Sequence, residues 1–171
     1  TCYDWQLTFV GNSWAGVNTA VPNILLREGF ETGVIPEFAG FDTFRAEVRY
    51  GSRNSRADAV LSGPSGKMFV EAKNVTLVEN GCALFPDAVT GRGLKHLDEL
   101  ADMVKQGHRA AMFFLSQRMD AVCVGVASHI DPAYAAGLRR AFDSGVEVIS
   151  WGAKISSEEI VLDRPLPFMA Q

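Results

Sequence analysis

The spacing of apolar residues changes several times along this chain, and each change predicts an element. Residues 3–9 (Tyr-Asp-Trp-Gln-Leu-Thr-Phe) alternate apolar with polar, the two-residue period of a half-buried strand, and Gly11, Asn12 and Ser13 follow as a turn. The period then lengthens. Thr19 is a candidate helix cap, Pro22 suits a first helical turn, and Val21, Ile24 and Leu25 supply an apolar stripe that stops at Gly29. Residues 44–50 predict a strand, 51–55 a turn, 56–61 a second strand, Gly63-Pro64-Ser65-Gly66 another turn, and 69–77 a third strand. Three consecutive strands joined by short turns predict an antiparallel meander.

Residues 79–86 read as irregular, with Asn80-Gly81 as a turn. A helix is predicted over 92–106, ending at Gly107. Leu94, Leu97, Leu100, Ala101 and Val104 share its apolar face, and Arg92, Lys95, His96 and Glu99 its wet side. Residues 110–115 (Ala-Ala-Met-Phe-Phe-Leu) are continuously apolar, as in a central strand covered on both faces. A short strand at 121–126 precedes a helix opened by Asp131 and Pro132, running to residue 142 and closed by Gly145. Strands follow at 146–151 and 160–162, and the proline-rich tail from Arg164 reads as irregular. This order predicts an α/β domain: a mixed β-sheet flanked by helices, enlarged by an added strand–helix–strand unit.

Composition narrows the class. The chain has 171 residues, 47% apolar and 21% charged, enough for one domain with a core of its own. No apolar run approaches the roughly 18 residues of a membrane span, so no membrane association is expected. A net charge of −4 argues against broad, non-specific nucleic-acid binding and leaves room for a local basic groove. Cys2, Cys82 and Cys123 are odd in number and lack metal-ligand spacing. They read as small buried or half-buried thiols, which points to a reducing, cytoplasmic compartment.

The chemistry concentrates at Glu71 and Lys73. Residues two apart on a strand project from one face, so the carboxylate and the ammonium share a space, and Asp58 on the preceding strand adds a second carboxylate. Such a set can hold Mg²⁺ or Mn²⁺ beside a phosphate. Asp58 and Glu71 would be ligands, the main-chain carbonyl of Ala72 a third, and Lys73 would stand beside the attacking water. An E-x-K pair also forms as a solvated ion pair, and the spacing leaves both readings open. Glu47, between Arg45 and Arg49, reads as part of an ion-paired surface row. Arg92, Lys95 and His96 open a helix where a phosphate can be met, or are simply its wet side. His96, His108 and His129 show no zinc spacing, and no dinucleotide, P-loop or nucleophile-elbow motif is present.

Several stretches together resemble one family: Gly16-Val17-Asn18-Thr19, Glu47-Val48 with Tyr50-Gly51, Asn54-Ser55-Arg56-Ala57-Asp58, and above all Val70-Glu71-Ala72-Lys73-Asn74-Val75-Thr76-Leu77. The last block continues through Phe85-Pro86-Asp87-Ala88-Val89-Thr90, Arg92-Gly93 and Lys95-His96-Leu97. Asp131-Pro132 with Tyr134, and Gly145-Val146-Glu147-Val148, also fit. On these residues the chain resembles the sugar fermentation stimulation protein A family of bacteria and archaea.

The resemblance implies a restriction-endonuclease-like PD-(D/E)XK domain over residues 16–171. Residues 1–15 would be the linker and strand left from an N-terminal OB-like domain. Asp58 matches the motif aspartate and Glu71 and Lys73 the (D/E)XK pair, while Ala57 stands where the superfamily has proline. The resemblance further implies a nucleic-acid partner, DNA first, with Arg56, Asn74, Thr90, Arg92 and Lys95, and also Asp87, as groove residues, and it allows a homodimer. The expected function is nucleic-acid binding with a divalent-metal phosphodiesterase site. The alternative is a DNA-binding regulator of maltose-type sugar genes without nuclease activity.

Overall fold

A computed structural model describes residues 5–11, 13–51 and 55–169. Its elements are β1 (Leu7–Val10), β2 (Ser13–Gly16), α1 (Val21–Glu31), β3 (Thr43–Tyr50), β4 (Ser55–Gly63), β5 (Gly66–Val75), β6 (Leu77–Glu79), β7 (Cys82–Phe85), α2 (Gly91–Lys105), β8 (Arg109–Ser116), β9 (Cys123–Val126), α3 (Pro132–Asp143), β10 (Glu147–Ile155), β11 (Ile160–Pro165) and β12 (Phe168–Met169).

Six strands form the main sheet in the order β11-β10-β8-β5-β4-β3. The β3–β4–β5 meander is antiparallel, as expected, and β5, β8 and β10 run parallel. Strand β8 lies inside the sheet and both its faces are buried, which explains its unbroken apolar run. Ala111, Phe113 and Leu115 pack on the side of α1 with Leu25, Leu26, Ile35 and Phe38. Ala110, Met112 and Phe114 pack on the opposite side with Leu97, Leu100, Tyr134 and Leu138 of α2 and α3.

Several expectations are corrected. Helix α1 does not stop at Gly29 but runs through it to Glu31. A Cβ at Gly29 would fall 2.5 Å from Ile35 Cδ1 and 2.8 Å from Leu162 Cδ1, so this glycine serves close packing. The helix start is held by Asn18, whose Oδ1 accepts from the Ala20 N–H at 2.8 Å, rather than by Thr19. Ile24 is exposed, and Leu26 takes its place in the core.

The stretch read as irregular forms the antiparallel β6–β7 hairpin, turning at Asn80 and Gly81. Strand β9 does not extend the main sheet. It joins a second sheet, β12-β9-β7-β6, whose β12 comes from the tail expected to be irregular. Cys82 and Cys123, expected as thiols, are register partners across β7 and β9 and are joined as a disulfide, with Cα atoms 4.7 Å apart. Of the strand expected at residues 3–9, residues 7–9 lie in β1, which is paired with β2, while Trp5 and Gln6 lie outside any strand. Tyr3, Asp4, Asn12 and the turn residues 52–54 lie outside the described residues.

Candidate active site

The site begins with a break in alternation. Along β3, Phe44 packs toward α1, whereas Val48 and Tyr50 pack toward α2, although all three have even numbers. Along β4, Ala59 and Leu61 face α1 and Ala57 faces α2. Both strands therefore exchange faces at one level. There Glu47 has φ 54°, between the register pairs Ala46↔Ala59 and Val48↔Ala57, and Asp58 stands opposite it. A positive φ is unfavourable for a non-glycine residue, and such positions cluster at functional sites.

The exchange leaves the Asp58 side chain at the end of the β4–β5 ladder, beyond its last register pair, Ala59↔Val70. Its Oδ2 accepts a hydrogen bond from the Ala72 N–H at 2.7 Å, replacing a main-chain partner. From α1, Asn23 Nδ2 donates to Oδ1 at 3.3 Å. Burial pushes the Asp58 carboxyl above its ordinary value, and the neighbouring Glu71 charge adds to this. The Ala72 N–H, Lys73 and Asn23 oppose both.

Glu71 lies on β5 between Phe69 and Val75, both of the α2-side core, and is buried. Lys73 Nζ donates to its Oε1 at 2.7 Å, and His96 Nδ1 contacts the same oxygen. Arg92 Nε donates to His96 Nε2 at 3.4 Å, which places the imidazole proton on Nδ1. Arg92, His96, Glu71 and Lys73 thus form one chain of contacts. Burial pushes the Glu71 carboxyl up, but the bonds from His96 and Lys73 outweigh it and hold the group below its usual range.

Around this chain lie buried oxygens without partners among the described residues: Glu71 Oε2, both carboxylate oxygens of Glu99, and the hydroxyls of Tyr50 and Tyr134. Burial drives the Tyr50 hydroxyl far up, with the charges of Glu71, Glu99 and Asp58 adding to the shift. The unpaired carboxylate oxygens of Glu71 and Glu99 are acceptors that a cation or a hydroxyl donor can answer. Among the described residues, no group of three His, Cys, Asp or Glu is arranged to hold a metal ion. The available donors are the Asp58 and Glu71 carboxylates and the Ala72 carbonyl. That all-oxygen set suits a hard divalent ion that keeps several waters.

The predicted groove residues divide. Lys73, Ala72, Asn74 and Asp87 line a cleft of about 400 Å³, and Asp58, Asn23, Glu47 and Arg27 line another of about 330 Å³. The Asp58–Ala72 hydrogen bond joins the walls of the two. Asn74 Oδ1 accepts from Gln117 Nε2 at 2.7 Å. Thr90 caps α2, its Oγ1 accepting from the Gly93 N–H at 3.0 Å, and Asp131 ties that cap to α3 by accepting from the Thr90 and Tyr134 N–H groups. Arg92 is exposed and Lys95 half-buried on α2. Exposed Arg56 has its Nη1 3.9 Å from Glu47 Oε2, so Glu47 pairs across to β4 instead of within a row with Arg45 and Arg49.

Asn23, Tyr50, Glu99 and Tyr134 are not among the expected site residues, and His96 is expected only as a phosphate contact at the helix start or as part of its wet side. His96 and Glu99 are 4% and 1% exposed, and not on the wet side of α2. Their sequence signal is position: with Leu100 and Met103 they fall at the three- and four-residue spacings of one buried helix face.

The family model for the sugar fermentation stimulation protein RE domain matches residues 20–159. The chain belongs to this family. It is 51% identical over 168 residues to a sugar fermentation stimulation protein homolog of Geobacter sulfurreducens, covering 98% of this chain and 72% of that protein. It is 52% identical over 163 residues to the homolog of Pelobacter propionicus, covering 95% and 70%. The structure of Pyrococcus furiosus SfsA in complex with Ca²⁺ superposes with a TM-score of 0.85 at 28% identity, over 92% of this chain and 68% of that one. The fold is the expected one, a restriction-endonuclease-like α/β domain with a mixed sheet between helices. Among the described residues no helix is long and apolar enough to cross a membrane.

Proposed function

We propose that this chain binds nucleic acid, DNA first, and cleaves phosphodiester bonds with a divalent metal held by Asp58, Glu71 and the Ala72 carbonyl. The observation that carries this reading is the buried Glu71 Oε2, which has no partner among the described residues, beside Asp58 and Lys73. A family member's structure in complex with Ca²⁺ supports an oxygen-ligand cation site, and Mg²⁺ or Mn²⁺ suits the same donors. When bound, such an ion activates water and neutralises phosphate charge.

The chain's own groups do the rest. Asn23 and the Ala72 N–H aim the Asp58 carboxylate, and His96 fixes the Glu71 plane from behind. Lys73 lines the cleft next to Asn74 and Asp87, where its ammonium orients the nucleophile or stabilises developing negative charge.

A second reading, a DNA-binding regulator of sugar-metabolism genes without nuclease activity, is favoured by one observation. Glu71 Oε1 is already engaged by Lys73 and His96. Calorimetric titration of Mg²⁺, Mn²⁺ and Ca²⁺ into the chain and into Glu71→Ala, with and without a DNA duplex, separates the two. Saturable binding abolished by the substitution supports the phosphodiesterase. Absence of binding in both proteins leaves the regulator.

A further inference from the structure

On the α2 side of the sheet, at its β3 edge, a cavity of about 520 Å³ opens near the candidate site. Arg45, Arg49, Lys67 and His108 line it, and Asp102 is the sole carboxylate among its lining residues. That carboxylate is already answered by Lys105, whose Nζ lies 2.8 Å from Asp102 Oδ1. Arg45, Arg49 and Lys67 have no side-chain ion pair or hydrogen bond among the described residues. By contrast, Arg109 is matched by Glu147 and Arg118 by Asp120. In a chain of net charge −4, three unanswered cations around one concavity make a local field that selects anions.

The floor of the cavity is aromatic. The Tyr50 and Phe69 rings stack with centroids 5.4 Å apart, and Phe69 meets the His108 ring at 5.5 Å. A cationic rim over an aromatic floor suits an anion with a flat apolar part, and the volume lies within the range of small-ligand sites. Tyr50 also connects this cavity to the candidate site. It pairs with Ser55 on β4, three residues before Asp58.

We propose that this cavity binds a nucleoside phosphate, the phosphate held by Arg45, Arg49 and Lys67 and the base set against Tyr50, Phe69 and His108. The unit can be a free nucleotide or one unit of a strand whose next phosphates run toward Asp58 and Glu71. Only the strand as its source rests on the nucleic-acid reading above.

The test is fluorescence anisotropy in chelator, so that metal binding plays no part. A short labelled single-stranded oligonucleotide and a fluorescent adenosine monophosphate are titrated separately with wild type, with Arg45→Gln/Arg49→Gln/Lys67→Gln, and with the charge-matched control Arg139→Gln/Arg140→Gln/Lys154→Gln. The three cavity side chains are exposed, so their replacement leaves the fold intact, which circular dichroism checks.

The cavity variant should bind the oligonucleotide about tenfold or more weakly. Its slope of log affinity against log salt should fall by about 0.7, for the one phosphate the three side chains hold, while the control stays close to wild type. Oligonucleotide binding that the cavity variant retains, or that the control loses equally, overturns the proposal and leaves the nucleic-acid reading standing. Mononucleotide binding lost only in the cavity variant, from a wild type that ignores the oligonucleotide, keeps the cavity as a free-nucleotide site and overturns the strand as its source. Failure of wild type to bind either probe overturns the proposal and leaves the nucleic-acid reading to the duplex titration with metal.

Discussion

His96 and Glu71, 25 residues apart in sequence, meet inside the protein, where the imidazole Nδ1 donates to carboxylate Oε1 and both residues are buried. This contact joins α2 to the strand that carries the candidate chemistry. A buried hydrogen bond to a charged group contributes about 1.5–3 kcal/mol, and its removal strands the acceptor. The His96→Ala variant should therefore lose about that much stability, read as a lower urea midpoint at unchanged slope. A midpoint equal to wild type would show that the contact is energetically idle.

Asp58 should behave in the opposite way. Burial, then the Glu71 charge, raises its carboxyl above the ordinary 3.8, so the folded state holds this proton more tightly than the unfolded one. The contribution is most favourable below 3.8 and declines as pH rises through the raised value. At neutral pH in chelator, Asp58→Asn should melt above wild type. Its amide can still accept from Ala72 N–H and can also donate to Asn23 Oδ1, which is buried and has no partner among the described residues. Adding Mg²⁺ should close or reverse the gap, because only wild type gains binding energy, about 2.7 kcal/mol at a hundredfold excess over Kd. A variant less stable than wild type in chelator would refute this account of the site.

The Glu71→Gln variant tests the other sign. Burial raises the Glu71 carboxyl, but His96 and Lys73 hold it below its ordinary 4.5, so its stabilisation is fully present above 4.5 and is lost as pH falls through the lowered value. Denaturant midpoints should show the largest gap between wild type and variant at neutral pH, shrinking in acid. A gap of constant size across that range would mean that the carboxylate is not held by these partners.

Lys73→Ala should separate chemistry from binding. Lys73 touches Glu71 and lines the cleft, and the metal donors assigned above are all oxygens. Metal affinity by calorimetry should change little, while the rate of duplex cleavage falls about a hundredfold or more. Equal loss of both would make Lys73 a support for Glu71 alone.

A structural control lies at Gly63. A Cβ there would stand 2.7 Å from Gly40 O and 2.8 Å from both Asp42 N and Phe41 Cα, all main-chain atoms with little room to yield. Gly63→Ala should cost about 1–3 kcal/mol by urea unfolding and leave metal affinity per folded molecule unchanged. Unaltered stability would show that the adjoining loop gives way.

By itself the sequence determined what depends on neighbours along the chain. Two-residue alternation and short turns specified the β3–β4–β5 meander, an unbroken apolar run specified β8 as a covered central strand, and the E-x-K spacing put Glu71 and Lys73 together. Tertiary structure alone decided the features that depend on distant partners. Positive φ at Glu47 turns two strands over together, and no local pattern announces it. The second sheet that takes β9 is built from strands on both sides of α2, so its pairing cannot be read from any one segment. The same holds for α2: a helical wheel ranks His96 and Glu99 with Arg92 and Lys95 by polarity, whereas burial depends on what stands opposite. Opposite His96 stands Glu71, a carboxylate that needs a donor, and that demand is set by a residue on another strand.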